Sequence, residues 1–224
     1  MLKTYIHNVK IPVYVMPGMA ASPEIFGSLS LPERFELYPL RWKIPENGEN
    51  LVNYAKRMLA DVHHDNPVLI GVSFGGIIVQ EMAKIISVRK LIIISSVKTK
   101  FELPRRMRLS RNLGLYNIAP VNLVKSIKKW SKYAFTDKLE HRIALYEKYL
   151  SVDDPHYLKW AIKQMLCWDQ KEALAGIVHI HGDADPVFPH KYINDCVTIS
   201  GGTHIMIIIK CKWFNENLPE IIEN

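Results

Sequence analysis

Short apolar runs alternate with helically spaced apolar positions along the first hundred residues. Ile11-Pro-Val-Tyr-Val-Met16 has the pattern of a buried strand that stops at Pro17-Gly18. Residues 35–40 predict a second short strand after a turn-rich connection. Leu51, Val52, Ala55, Met58, Leu59 and Val62 recur at helical spacing and predict one apolar helix face. Residues 68–71 predict a third strand, 75–86 a helix with small residues at its start, and 91–94 a fourth strand closed by Ser95-Ser96. Strands that alternate with helices in this way imply a parallel α/β sheet covered on both faces.

The alternation stops near Thr99. From Phe101 to about Lys171 only helical spacing recurs, clearest in residues 121–130, 139–150 and 155–166. Asp153-Asp154-Pro155 reads as a helix N-cap with proline at the first helical position. The sheet pattern resumes with Ile177-Val-His-Ile-His181, a last short strand fits residues 196–199, and a helical stretch follows. The expected organisation is a core of residues 1–98 and 172–224, with residues 99–171 inserted as a helical lid. The insertion aromatics Trp130, Tyr133, Tyr146, Tyr149, Tyr157, Trp160 and Trp168 are expected mainly in the lid's own core, with one or two lining a pocket.

A hydrophobic share of 48% over 224 residues suffices for one well-buried core. No apolar run reaches 18 residues, so no membrane span is expected. The first residues, Met1-Leu-Lys-Thr-Tyr-Ile-His-Asn, lack the apolar segment and cleavage site of a signal peptide. Cys167, Cys196 and Cys211 are odd in number and lack metal-ligand spacing. Both features point to a cytoplasmic protein with reduced thiols. The formal charge of +7 is concentrated: residues 98–148 carry thirteen Lys and Arg against four Asp and Glu. Arg105, Arg106, Arg108 and Arg111 cluster at the start of this segment, and Lys125, Lys128, Lys129 and Lys132 fall on one helical face. Such a segment is either a solvated face or a docking surface for an anionic partner. The lysine stripe lacks an interleaved aromatic platform or a recognisable module, which argues against nucleic acid.

The candidate chemistry sits in three loops. Gly71-Val-Ser73-Phe-Gly75 places a serine between a predicted strand and a predicted helix, where a sharp turn exposes its hydroxyl. A neutral serine needs a base, and the base needs an acid to fix its tautomer. His181-Gly-Asp-Ala-Asp185 and Gly201-Gly-Thr-His204 each follow a later predicted strand. Loops at the carboxyl ends of parallel strands share one edge of the sheet, so Ser73, Asp185 and His204 are expected together.

Together these motifs resemble the α/β-hydrolase fold superfamily in its lidded, esterase-like branch. Gly71-Val-Ser-Phe-Gly75 matches the nucleophile elbow, His181-Gly-Asp-Ala-Asp185 the acid loop, and Gly202-Thr-His204 the histidine loop. Pro17-Gly18-Met-Ala20 resembles the oxyanion turn after the first core strand, with Pro17 where many relatives carry histidine. The resemblance implies a mostly parallel sheet flanked by helices, a helical lid, and a leading hairpin shortened or missing. It implies Ser73 as nucleophile, His204 as base and Asp185 as acid. The backbone N–H groups of Met19 and Phe74 would form the oxyanion hole. No cofactor or metal is implied.

Competing readings stand beside these. Asp183 is the alternative acid, but the family spacing selects Asp185. His63-His64-Asp65 invites a metal reading, yet it precedes a strand, away from the elbow, and reads as a solvated turn. His179 is expected to pack within its strand, and His181 to pack or hydrogen-bond near the acid turn. The expected function is hydrolysis of a carboxylic ester or thioester. One alternative is an esterase acting on acyl chains held by an acidic acyl carrier protein, as in relatives with similar basic lids. The other is a slow or non-catalytic ligand receptor on the same fold.

Overall fold

The structure is a computed structural model and describes residues 10–114 and 149–224. Six strands form one sheet: β1 (Ile11–Met16), β2 (Phe35–Pro39), β3 (Val68–Val72), β4 (Lys90–Ile94), β5 (Val178–Gly182) and β6 (Val197–Ile199). Their order is β2-β1-β3-β4-β5-β6, and every pairing among them is parallel. No leading antiparallel strand occurs among the described residues. The chain runs outward from β1 to β2, then crosses back to β3. The order therefore reverses between β1 and β3, the place where open α/β sheets form a crevice at their carboxyl edge.

Side chains alternate across the sheet with period two. Tyr14, Met16, Leu69 and Ile93 face one layer. That layer holds α1 (Leu51–Met58), α2 (Phe74–Ala83) and, later in the chain, the helix Pro155–Cys167. Val13, Val15, Ile70, Val72, Ile92, Ile94 and Ile180 face the other, where Phe214, Leu218 and Ile222 of the helix Cys211–Glu223 cover them. β3 is buried along its whole length, as expected of a central parallel strand. No helix among the described residues is long and apolar enough to cross a membrane.

Each sequence-predicted strand is present within one residue at its ends. Helix ends differ more. The predicted helix over 51–62 is α-helical only to Met58 and tightens into a 3₁₀ turn, Leu59–Asp61. The helix expected over 75–86 runs Phe74–Ala83, because Ser73 is its N-cap and Ile85 and Ile86 turn back onto the Met82 carbonyl. The Asp154-Pro155 start stands as read, with the Asp154 carboxylate accepting the Tyr157 N–H at 2.7 Å. In the insertion, a helix Arg105–Asn112 opens the segment and Pro155–Cys167 closes it. The lysine stripe Lys125–Lys132 and the aromatics Trp130, Tyr133 and Tyr146 lie outside the described residues.

Candidate active site

Ser73 directly follows β3 and caps α2 with φ 53° and ψ −120°. A non-glycine residue in this region carries about 1–3 kcal/mol of strain and persists only where its surroundings enforce it. Three glycines allow the enforcement. A Cβ on Gly71 would lie 2.4 Å from the Gly75 carbonyl oxygen, one on Gly75 2.3 Å from the Pro17 oxygen, and one on Gly76 2.4 Å from Ser96 Oγ. Any of these side chains would force the elbow open. The Ser73 N–H donates to Ile94 O at 2.9 Å, and Ser96 Oγ donates to Ser73 O at 2.7 Å. Ser95-Ser96, beyond β4, thus supports the elbow.

The loops after β5 and β6 arrive beside it. His204 Nε2 lies 2.9 Å from Ser73 Oγ, and His204 Nδ1 lies 2.9 Å from Asp185 Oδ2. A carboxylate only accepts, so the proton on the ring sits at Nδ1 and leaves Nε2 free to accept from the serine. Asp185 Oδ1 accepts the N–H groups of Val187 at 2.8 Å and Phe188 at 3.0 Å. Burial pushes the Asp185 carboxyl up. The bond and charge of His204 and the two backbone donors outweigh it, and the net shift is downward. The group stays ionised with its charge aimed at His204.

The acid loop has a polar backing. His181 Nε2 donates to Phe188 O at 2.8 Å, so its Nδ1 accepts from His179 Nε2 at 3.1 Å. Burial pushes both imidazoles below the usual histidine range. His181 is therefore a neutral brace for the Asp185–Phe188 turn. Asp183 points elsewhere: its Oδ1 accepts the Gly201 N–H at 2.7 Å, tying the acid loop to the histidine loop. Those loops also touch at Gly182 and Gly202. A Cβ on Gly182 would sit 2.1 Å from the Gly202 oxygen, and one on Gly202 2.9 Å from the Gly182 Cα.

Pro17–Met19 lies alongside, since Met16 pairs with Gly71 across β1 and β3. The Phe74 N–H is the first of α2 and has no intrahelical acceptor. In the turn through Gly18, Met19 and Ala20, Gly18 and Met19 line the same cavity as Ser73 and His204. Ala20 takes φ 61°, and its N–H donates to Tyr157 Oη at 3.1 Å. Its carbonyl accepts the Ser151 N–H at 2.9 Å, and Ala21 pairs with Leu150 in an antiparallel bridge. The far end of the insertion is thereby stitched to this turn. A cavity of about 80 Å³ opens beside Ser73 and His204, walled by Met19, Ile25, Leu150, Ile205, Ile207 and Ile208 among others.

The other sequence candidates fall elsewhere. His63 and His64 are exposed, at the opposite end of β3; His64 Nδ1 bonds the Tyr14 hydroxyl at 2.7 Å, and the His63 N–H donates to that same hydroxyl. Among the described residues, no group of three or more His, Cys, Asp or Glu could hold a metal ion. Two of the four clustered arginines are engaged in structure. Arg106 donates to the Pro186 and Val187 carbonyls of the acid loop, and Arg111 to Trp168 O and Asp169. Trp42, which no motif marks, reaches the site from the connection after β2: its Nε1–H donates to Gly18 O at 2.8 Å.

No family model and no curated protein matches the sequence. Solved structures do. A thermophilic esterase from Thermogutta terrifontis, solved with malate bound, superposes with a TM-score of 0.71 at 13% identity, over 96% of this chain and 90% of that one. A bromoperoxidase from Bacillus anthracis gives 0.71 at 17% identity over 96% and 92%. An esterase from Exiguobacterium antarcticum gives 0.67 at 16% over the same shares. With its six-stranded parallel sheet, its elbow after β3 and these near full-length superpositions, the chain has the α/β-hydrolase fold.

Proposed function

We propose that the protein is a serine hydrolase that cleaves a carboxylic ester or thioester through an acyl-enzyme. The observation that carries this reading is the hydrogen-bond chain from Ser73 Oγ through His204 to buried Asp185, 2.9 Å at each link. In it, His204 Nε2 takes the serine proton as Oγ adds to the acyl carbon. The imidazolium formed is stabilised by the Asp185 carboxylate, and the oxyanion receives the N–H groups of Phe74 and Met19. Collapse releases the alcohol or thiol, protonated by His204. Water then repeats the cycle on the acyl-enzyme and returns Ser73.

The apolar walls of the adjoining cavity favour an acyl substrate without charge near its scissile carbonyl. Residues 99–171 serve in this reading as a lid, and the free thiols of Cys167, Cys196 and Cys211 fit a reducing, cytoplasmic setting. Turnover of p-nitrophenyl acetate and butyrate, with Ser73→Ala as control and a fluorophosphonate as label, tests the assignment. A burst and labelling lost together in the control are expected. No burst and no label would leave a ligand-binding protein on this fold.

A narrower version has an acidic acyl carrier protein present the substrate to the basic insertion. Arg105 and Arg108 add two further cations to α3 (Arg105–Asn112), and neither bonds the acid loop or Asp169, where Arg106 and Arg111 are engaged among the described residues. Reversing Lys125, Lys128, Lys129 and Lys132 should lower carrier-linked turnover and spare small esters. Equal effects on both would remove the carrier.

A further inference from the structure

Trp42 lies outside every motif that marks the site. Its indole N–H donates to the Gly18 carbonyl at 2.8 Å, and the Ala21 N–H donates to the same oxygen at 3.0 Å. Both lone pairs of that carbonyl are thereby engaged. A trans amide sends its C=O and N–H to opposite sides, so fixing Gly18 O fixes the direction of the Met19 N–H. The turn itself lies against the nucleophile: a Cβ on Gly18 would sit 3.5 Å from Ser73 Cβ. The same indole stacks on the Phe74 ring at 5.4 Å and 11°. Phe74 carries the second N–H at Ser73. The indole also meets the Tyr157 ring at 5.4 Å, tilted by 57°, and the Tyr157 hydroxyl accepts from the Ala20 N–H. One half-buried side chain, from a part of the chain that supplies no reacting group, bears on both halves of the oxyanion site.

Resting on the serine-hydrolase reading above, we propose that Trp42 is a positioning residue that holds the Gly18–Met19 peptide with its N–H facing the oxyanion. Without the indole N–H, Gly18 O keeps only the donor from its own turn. The peptide then has a second accessible orientation in which the Met19 N–H leaves the site. The loss is felt where negative charge develops, in the transition state, and little in substrate binding. It therefore falls on kcat and leaves KM nearly unchanged.

The discriminating variant replaces Trp42 with benzothienylalanine, an indole isostere with sulfur in place of N–H, which keeps the stack on Phe74. Trp42→Phe is the genetically encoded companion. The isostere should lower kcat on p-nitrophenyl butyrate by about tenfold to a hundredfold, below the full loss of an oxyanion donor. The affinity for a boronic acid, which adds to Ser73 as a tetrahedral anion, should fall by the same factor, while KM and the melting temperature hold. Unchanged kcat and boronate affinity in the isostere would overturn the proposal. So would a kcat loss matched by a rise in KM and a lower melting temperature, the signature of lost packing. A wild-type protein that neither turns over esters nor labels at Ser73 overturns the hydrolase reading and Trp42's role with it. A wild type that labels and turns over, beside an unaffected isostere, overturns Trp42 alone.

Discussion

The two turns that meet at Ser73 are held by opposite means. The elbow is shaped by side chains that are absent: Gly71 and Gly75 let backbones, and Gly76 the Ser96 side chain, approach to distances a Cβ would forbid. The turn through Met19 is shaped by side chains that are present and distant in sequence. The Trp42 indole holds Gly18 O and the Tyr157 hydroxyl holds the Ala20 N–H, while the Ser151 backbone N–H adds a bond to the Ala20 carbonyl. Steric exclusion fixes one conformation at a stroke. A set of hydrogen bonds fixes it by increments, each removable alone, so the two turns should respond differently to substitution.

Ser73→Ala removes the reacting hydroxyl and leaves both turns standing. Ester turnover should fall by about 10⁴-fold or more, with residual activity from the oxyanion donors and binding alone. Urea denaturation should show stability unchanged or slightly raised. A stability loss would mean the hydroxyl is part of what holds the elbow. Gly75→Ala attacks the elbow itself. Its Cβ would meet the Pro17 and Met16 carbonyl oxygens at 2.3 and 2.6 Å, so destabilisation of about 3 kcal/mol or more is expected. Gly18→Ala is its counterpart in the other turn, where the nearest atom would be 3.5 Å away. It should cost under about 1 kcal/mol. Similar unfolding midpoints for the two variants would erase the contrast drawn above.

Tyr157→Phe removes one hydrogen bond from the turn through Met19 and leaves the Ala20 N–H buried without its acceptor. A cost of about 1–3 kcal/mol in unfolding free energy is expected, with a smaller fall in kcat than Ser73→Ala gives. The acid loop, also braced by side chains, gives an effect that emerges only as pH falls. His179 and His181 are held below the usual histidine range by burial. The unfolded chain therefore binds protons that the folded chain refuses, and stability should fall as pH drops below about 6.5. Each histidine can contribute up to about 1.4 kcal/mol per pH unit. Asp185, held below the usual carboxylate range, contributes stability that is kept above about pH 4 and lost only under stronger acid. Urea midpoints at pH 7.5, 6.5 and 5.5 isolate the histidines, and a flat profile would contradict their buried neutral state.

The same contrast explains what the sequence made legible. Ser73, Asp185 and His204 sit in short motifs, each directly after an apolar run, so local pattern and parallel topology sufficed to bring them together. The central strands were legible because β1, β3 and β4 are nearly continuous apolar runs in a sheet covered on both faces. Helix ends were less so: Ile85 and Ile86 continue the apolar spacing but leave the helix after Ala83. Trp42 was invisible because its partner is a backbone carbonyl 24 residues earlier, which leaves no mark in the pattern of side chains. The arginine cluster read as a surface feature, yet Arg106 braces the acid loop through the carbonyls of Pro186 and Val187.

The contact between Gly182 and Gly202 has a consequence for how such a site can be altered. Two backbones in direct contact set the spacing of the acid and histidine loops, so no side chain is available there to adjust it. In a saturation library both positions should tolerate only glycine. The pair also lacks compensatory epistasis: a carbon added at either residue meets the other's main chain, and a second substitution only adds to the clash. Directed evolution of this protein therefore has to work from the cavity walls and the braces, with the distance between Asp185 and His204 as a fixed parameter.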